Sequence, residues 1–317
     1  KVSPLSKKNV LNSFRRSMPD FTDMAAKNLK IAILSGKGGT GKTLLSVNLA
    51  SAAADSVYVD CDVEEPNGHL FFKPQWNIEK EISVKIPQVD PNKCDGCKKC
   101  VEFCKFNALA YIIKNLKIFD DVCHSCGGCS LVCPQGALTE RDKTVGTLSV
   151  GDSEGVRVLS GMMKTGIASG IPIIKELLTQ CGSLEDDRPI FIDCPPGSAC
   201  IVMESIKDAD YCLLAAEPTI FGRHNLEMVW SLVRLFEKPH SVVINKCVDQ
   251  SDPTDEFCKE NRIKILEKIP FDVELGTLNS NGKIAAREST KYRDLFSSLL
   301  EKIYREVPHE ATVNSER

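Results

Sequence analysis

A cysteine spacing occurs twice within one short stretch of the chain. Each copy has three cysteines separated by two residues and a fourth cysteine after three more residues. Thiolates are ligands for soft metal centres, and turns through Gly96, Gly127 and Gly128 can direct three successive sulfurs towards one centre. The repeat predicts two iron–sulfur clusters. The first copy comprises Cys94, Cys97, Cys100 and Cys104, and the second comprises Cys123, Cys126, Cys129 and Cys133.

This spacing resembles that of the two-cluster bacterial ferredoxins, in which the fourth cysteine of each copy binds the other cluster. The resemblance implies one [4Fe–4S] cluster on Cys94, Cys97, Cys100 and Cys133, and a second on Cys123, Cys126, Cys129 and Cys104. Structural zinc is the alternative, since C-x2-C pairs also suit tetrahedral sites. Zinc needs neither the third closely spaced cysteine nor the crossed fourth one. Disulfides are disfavoured because fifteen cysteines without a recognisable signal peptide indicate a reducing compartment.

A phosphate-binding loop lies earlier in the chain. The apolar segment 30–34 predicts a buried strand, and the sequence after it matches the pattern G-x4-G-K-T before a helical pattern. Glycines allow successive backbone N–H groups to face phosphates, with Lys42 on the β- and γ-phosphates and Thr43 on Mg²⁺. The sequence therefore predicts a bound ATP and Mg²⁺. The nucleotide-binding residues of the loop are Gly36, Lys37, Gly38, Gly39, Thr40, Gly41, Lys42 and Thr43.

Polar residues end several other predicted strands. Asp60 and Asp62 follow a strand at 57–60, and alternation places both on one face. Asp193 ends the apolar strand 189–193, and Asn245 ends the strand 241–245. Ligands in parallel α/β sheets bind at the carboxyl ends of strands, which is where Asp60 and Asp62 are expected.

The loop with its extra lysine, Lys37, resembles the deviant Walker A loop of the MinD/ParA group of ATPases. The resemblance implies a nucleotide-bridged dimer, with itself or with a similar ATPase, in which Lys37 reaches the partner's nucleotide. By the same likeness, Lys37, Lys42 and Asp62 are catalytic, and Asp62 orients the attacking water. Asp60 and Asp193 support Mg²⁺ together with Thr43. Asn245 reads adenine and Pro270 lines the base pocket, although a strand-end Asn is also a common turn residue.

Motif order predicts the architecture, because nucleotide motifs lie on both sides of the cysteines. We expect an α/β P-loop NTPase with a mostly parallel, doubly wound sheet formed by residues 28–84 and 142–317. A small ferredoxin domain at 85–141 interrupts it, and residues 1–27 form an arm. Residues 135–170 predict short strands returning from the insert, and the apolar spacing at 171–180 and 222–236 predicts helices.

Composition excludes several classes of protein. The net charge of −3 lacks the general basic footprint of a nucleic-acid binder, and there is no apolar run long enough to span a bilayer. We therefore expect a cytoplasmic protein with no nucleic-acid partner and no stable membrane insertion.

The motifs together predict a slow, partner-stimulated ATPase that couples nucleotide state to electron transfer with a redox protein. Two other functions remain open, an iron–sulfur cluster carrier or assembly ATPase, and a MinD-type regulator whose clusters sense redox state. Cys200 lies seven residues after Asp193, the offset of an intersubunit cluster ligand in the nitrogenase iron protein. No second matching ligand accompanies it, which favours a simple thiol.

Overall fold

A computed structural model describes residues 28–53, 55–182, 187–248 and 252–307. The arm predicted at residues 1–27 lies outside the described residues. In chain order the strands are β1 Lys30–Leu34, β2 Ser56–Asp60, β3 Gln75–Val89, β4 Leu109–Ile112, β5 Asn115–Ile118, β6 Leu138–Ser153, β7 Val156–Met163, β8 Ile190–Asp193, β9 Tyr211–Ala216, β10 His240–Cys247 and β11 Ile265–Pro270. The α-helices are α1 Lys42–Ala52, α2 Gly68–Phe72, α3 Lys99–Phe103, α4 Gly128–Leu131, α5 Ile171–Gly182, α6 Cys200–Ile206, α7 Ile220–Leu235, α8 Pro253–Glu260, α9 Val273–Ser280, α10 Ala285–Glu288 and α11 Thr290–Glu306.

Nine strands form one large sheet in the order β11-β10-β9-β1-β8-β2-β7-β6-β3. The seven strands from β11 to β7 run parallel, whereas β6 is antiparallel to β7 and β3 is antiparallel to β6. Parallel strands are buried on both faces and need apolar residues at almost every position. Strand β2 illustrates this, because all five of its residues are buried. The predicted α/β fold with a mostly parallel sheet is confirmed.

Helices cover both faces of this sheet and create two cores. On one face, α5, α6, α7 and α8 pack through residues such as Ile173, Val202 and Val229. On the other face, α1, α10 and α11 pack through residues such as Leu45, Ala286 and Phe296. The helices predicted at 171–180 and 222–236 are confirmed, with slightly different ends.

A long antiparallel arm leaves the edge of the sheet between the nucleotide motifs. Strand β6 pairs with β7 only from Gly146 onwards, while its residues 138–145 pair with β3 alone. Since β7 runs parallel to β2, this free part extends past the carboxyl edge of the sheet. The expectation of short strands at 135–170 is wrong, because β6 has 16 residues and is stabilised along its length by β3.

The arm ends in a small cysteine-rich unit of residues 90–137. It contains the β4–β5 hairpin and the short helices α3 and α4, and its core of Cys100, Ala108, Leu109, Leu116 and Cys129 is completed by Leu138, the first residue of β6. Within the described residues, no helix is both long enough and apolar enough to cross a membrane.

Candidate nucleotide and cluster sites

The phosphate-binding loop lies between β1 and α1. Gly39 and Gly41 have φ values of 80° and 99°, a conformation that glycine adopts without a Cβ penalty. A Cβ on Gly41 would lie 2.2 Å from the amide nitrogen of Asn245. The loop therefore requires glycine there both for its backbone and for space, and it leads directly into the N-terminus of α1.

Lys42 lies at the start of α1 among carboxylates from two neighbouring strand ends. Its Nζ is 2.7 Å from Asp193 Oδ1 and 3.8 Å from Asp62 Oδ2. Burial alone would lower the pKa of Lys42, but Asp193, Asp62 and Asp60 together raise it above its ordinary value. The lysine is therefore held as a cation at the position where nucleotide phosphates are expected.

Asp60 and Asp193 occupy paired positions on β2 and β8. Asp193 Oδ2 accepts a hydrogen bond from the Tyr58 hydroxyl at 2.9 Å. Asp60 Oδ2 accepts from the Gly68 N–H at 2.8 Å, and its Oδ1 accepts from the Asp62 N–H at 3.2 Å. Asp60 thus links the acidic segment to the first residue of α2.

Two of these carboxyl groups hold protons more strongly than usual. Burial and the neighbouring Asp193 raise the pKa of Asp60 to about 7. Burial raises the pKa of Asp62 to about 6, although Lys42 opposes the change. A divalent cation bound between Asp60 and Asp193 would offset the repulsion between their two carboxylates.

Lys37 points to a carboxylate of its own chain. Its Nζ is 2.7 Å from Glu217 Oε2, while Lys246 Nζ is 2.7 Å from Glu217 Oε1. Lys246 also donates to the Gly39 carbonyl at 2.6 Å. Burial would raise the pKa of Glu217, but its bonds to Lys246 and Lys37 lower it, so the glutamate stays ionised.

Asn245 is buried beside the loop, and Pro270 lies at the exposed end of β11, the strand that pairs with the strand of Asn245. The Asn245 amide donates to the Thr40 carbonyl at 2.9 Å, and its oxygen accepts from the Lys246 N–H at 2.9 Å. In this structure Asn245 therefore holds the phosphate-binding loop. The predicted contacts of Asn245 and Pro270 with the adenine base remain predictions.

The four cysteines of the first predicted set surround one cavity. Cys94, Cys97, Cys100 and Cys133 line a small cavity that opens to solvent, together with Tyr111 and Leu116. Cys133 is separated from the other three by more than thirty residues of chain and reaches the cavity because the unit folds back on itself. The crossed assignment predicted from the sequence therefore corresponds to neighbouring side chains.

The second set is also clustered. Burial raises the pKa of the Cys123 thiol, and the nearby Cys104 and Cys126 raise it further. Burial likewise raises the pKa of Cys129, which lies close to Cys123 and Cys126.

Backbone amides point at sulfurs in both sets. The Ala108 N–H donates to Cys104 Sγ and the Ala137 N–H donates to Cys133 Sγ, each at 3.3 Å. The donor follows the sulfur by four residues in both copies. Such bonds stabilise a thiolate and, in iron–sulfur proteins, tune the cluster potential. The donor set therefore fits two clusters ligated by cysteine.

No three His, Cys, Asp or Glu side chains within the described ranges lie close enough to enclose a single metal ion. A four-iron cluster is bound through one sulfur per iron, so its ligands stand farther apart than the four sulfurs around one zinc ion. Cys200 is exposed at the first residue of α6.

Three residues near the nucleotide site were not singled out in the sequence. Tyr58 lies two residues before Asp60 on β2, Glu217 follows the buried strand β9, and Lys246 follows Asn245. A charged or polar residue at the end of a buried parallel strand was the available signal. Their partners lie far away in sequence, so the individual contacts could not be derived from spacing.

Comparisons with known proteins identify a family and several relatives. A family described as "CobQ/CobB/MinD/ParA nucleotide binding domain" matches residues 31–285. The uncharacterized protein MJ0578 of Methanocaldococcus jannaschii is 28% identical over 278 residues, which cover 87% of this chain and 96% of that protein. The beta subunit of adenylylsulfate reductase from Megalodesulfovibrio gigas is 38% identical over 61 residues, 17% of this chain and 36% of that subunit.

Solved structures share the fold. The cell division ATPase MinD of Pyrococcus furiosus superposes with a TM-score of 0.55 at 20% identity, covering 88% of this chain and 99% of that one. MinD of Pyrococcus horikoshii, complexed with Mg-ADP, gives 0.54 at 18% identity, covering 86% and 94%. The loop between β1 and α1, the acidic strand ends and the family match lead to one conclusion: the chain belongs to the CobQ/CobB/MinD/ParA family of nucleotide-binding proteins.

Proposed function

We propose that this protein binds and hydrolyses ATP with Mg²⁺ and couples its nucleotide state to electron transfer through two [4Fe–4S] clusters in the cysteine-rich unit. The observation that carries the proposal is the cavity lined by Cys94, Cys97, Cys100 and Cys133. It lies on an arm whose strands continue from the nucleotide-binding edge of the sheet. The partial match to a reductase subunit supports a redox role.

The nucleotide chemistry rests on positioned charges. Lys42 neutralises the β- and γ-phosphates, while the Thr43 hydroxyl, Asp193 and Asp60 provide oxygen ligands for Mg²⁺. Asp62 lies at the edge of this group, where its carboxylate orients the attacking water. Phosphoryl transfer depends mainly on such positioning and charge stabilisation. When bound, the clusters supply one-electron chemistry, and the eight predicted cysteines would hold them.

A chain of contacts joins the nucleotide site to strands β3 and β6, which continue into the arm. Asp60 accepts from the first residue of α2, and the Tyr58 and Phe72 rings are 4.9 Å apart between their centroids. The Phe72 carbonyl accepts from the Ser153 hydroxyl at the end of β6. A change in the ligation of Asp60 would therefore act on α2, from which β3 and the arm continue.

An anaerobic redox titration followed by EPR tests the coupling. The protein is compared without nucleotide, with ADP and Mg²⁺, and with a non-hydrolysable ATP analogue and Mg²⁺. A tenfold difference in nucleotide affinity between oxidised and reduced protein appears as a shift of about 59 mV for a one-electron couple. Stoichiometric zinc without iron would refute the cluster assignment. Potentials that do not respond to nucleotide would refute coupling within the isolated protein.

Replacement of Lys42 separates the two sites. Lys42→Met should abolish ATP binding, because it removes the phosphate contact, and should leave the iron content unchanged. Normal hydrolysis by this variant would contradict the assignment of the catalytic site. Release of iron to an apo-ferredoxin at a catalytic rate would instead favour a cluster carrier.

A further inference from the structure

The cysteine-rich unit exposes an apolar hairpin tip beside the first cysteine cavity. Ile112 and Ile113, at the end of β4 and in the turn, are 47% and 88% exposed. The hairpin is attached to the cavity, since Tyr111 and Leu116 line it and Tyr111 packs against Gly96. The tip is therefore an exposed apolar surface fixed close to a predicted cluster.

The turn of this hairpin has an unusual sequence for its shape. Ile113 and Lys114 have φ values of 48° and 62°. Two-residue turns with positive φ at both positions favour Asn-Gly, and a β-branched residue there is an outlier. Such a conformation costs about 1–3 kcal/mol and is often found at functional sites. Because Ile113 is exposed, it contributes little to the free energy of folding. Its presence in a strained turn is therefore better explained by binding of a partner.

The charge around the tip is positive and unpaired. Within the described residues, Lys98, Lys114 and Lys117 are exposed and make no ion pair, and Lys98 lies 5.7 Å from the centre of the Tyr111 ring. The nearest carboxylate on the cavity rim, Asp95, already accepts from the Cys97 N–H and the Gln135 amide.

The other acidic residues of the unit are mostly neutralised. Asp120 and Asp121 pair with Arg141 and Lys143 on β6, and Asp90 pairs with Lys93. Among the residues that line the cavity, Asp95 is the one carboxylate, so the three lysines of the tip outnumber the acidic groups beside them.

We propose that Lys98, Ile112, Ile113, Lys114 and Lys117 form a docking surface for an acidic electron-transfer protein, a surface we call the hairpin tip patch. The apolar residues provide the desolvated centre of the contact, and the lysines provide the complementary rim. This inference rests on the proposed function for the class of partner, whereas the patch itself is defined by exposure and charge.

Binding of an acidic flavodoxin is the test, with a basic cytochrome c as the matched probe of opposite charge. Affinity is measured anaerobically by calorimetry on the full chain at low and at 0.5 M salt. The wild type should bind flavodoxin, at least tenfold more weakly at high salt, and should not bind cytochrome c comparably. The triple variant Lys98→Glu, Lys114→Glu and Lys117→Glu should lose at least tenfold in affinity.

Two single variants separate docking from folding and from net charge. Ile113→Asn suits the left-handed turn better than isoleucine, so the hairpin should form while flavodoxin binding weakens several-fold. Lys175→Glu changes the net charge as Lys114→Glu does and should leave the affinity unchanged, because Lys175 is an exposed lysine of α5 that makes no ion pair within the part of the chain that the structure describes. Equal losses of flavodoxin affinity in Lys114→Glu and Lys175→Glu would overturn the proposed docking surface.

Iron content measured in the same samples distinguishes the two hypotheses. Wild-type protein that holds zinc instead of iron would overturn the proposed function, whether or not flavodoxin binds. If the iron-loaded triple variant binds flavodoxin as tightly as the iron-loaded wild type, the docking surface alone is overturned. The wild type is also tested for self-association without nucleotide and for binding to anionic vesicles. If the triple variant abolishes either of these, the patch serves another occupant, and the proposed docking surface is overturned.

Discussion

Replacement of Asp60 by asparagine should stabilise the nucleotide-free protein at alkaline pH, although Asp60 belongs to the proposed magnesium site. Folded Asp60 keeps its proton up to about pH 7, because it is buried beside Asp193, whereas its ordinary pKa is 3.8. The folded state therefore binds more protons, and its stability falls as pH rises from about 4 to about 7. A difference of roughly three pKa units corresponds to about 4 kcal/mol.

Asparagine at position 60 avoids this loss of stability at alkaline pH, but it cannot reproduce both hydrogen bonds of the carboxylate. Asp60 accepts from Gly68 and Asp62 through separate oxygens, and loss of one bond costs about 1 kcal/mol. We therefore expect Asp60→Asn to be about 2–3 kcal/mol more stable than the wild type at pH 8, with the gain disappearing towards pH 4.

Urea unfolding followed by circular dichroism at pH 4.5, 6 and 8, in EDTA and without nucleotide, measures this effect. Asp294→Asn, on an exposed carboxylate of α11, changes the net charge equally and should leave stability nearly unchanged. A gain of equal size at pH 4.5 and pH 8, or a destabilised Asp60→Asn at pH 8, would refute the electrostatic reasoning. With Mg²⁺ and an ATP analogue present, the order should reverse, since the wild type alone keeps the full ligand set.

Three further substitutions, the last with a matched control, test separate parts of the proposed sites. Glu217→Gln removes the carboxylate shared by two lysines beside the phosphate-binding loop, so the affinity for an ATP analogue should rise several-fold in a fluorescence titration, and a lower affinity would contradict this role. Tyr58→Phe removes the hydrogen bond to Asp193, worth about 1 kcal/mol, and should slow hydrolysis roughly fivefold in a phosphate-release assay. Cys133→Ser should remove one of the two clusters and about half of the iron in a colorimetric assay, whereas Cys200→Ser should leave the iron content unchanged, and equal losses would refute the assigned ligand sets.

The sequence predicted elements and site residues best where the signal was local. The strand Lys30–Leu34 and the loop after it follow from an apolar run and a fixed glycine pattern. Asp60 and Asp193 come together because carboxyl ends of parallel strands share one edge.

Contacts between distant segments were not predictable in the same way. The Glu217 pairs join the phosphate-binding loop, the residue after β9 and the end of β10, and no sequence pattern specifies which lysine reaches which oxygen. The length of β6 was underestimated because its polar residues and its glycines at 146 and 151 weaken the local strand signal. Pairing with β3 outweighs that weakness.

The free part of the arm also behaves as a spacer of defined length. About seven residue pairs extend past the last pairing with β7, so at about 3.3 Å per residue the ribbon reaches roughly 20 Å beyond the sheet edge. Because side chains alternate between faces, deleting one residue from each strand would turn the cysteine-rich unit to the opposite side. Deleting two from each would shorten the reach by about 7 Å and keep its orientation. Distance and orientation of the redox unit can therefore change separately, in steps of two residues.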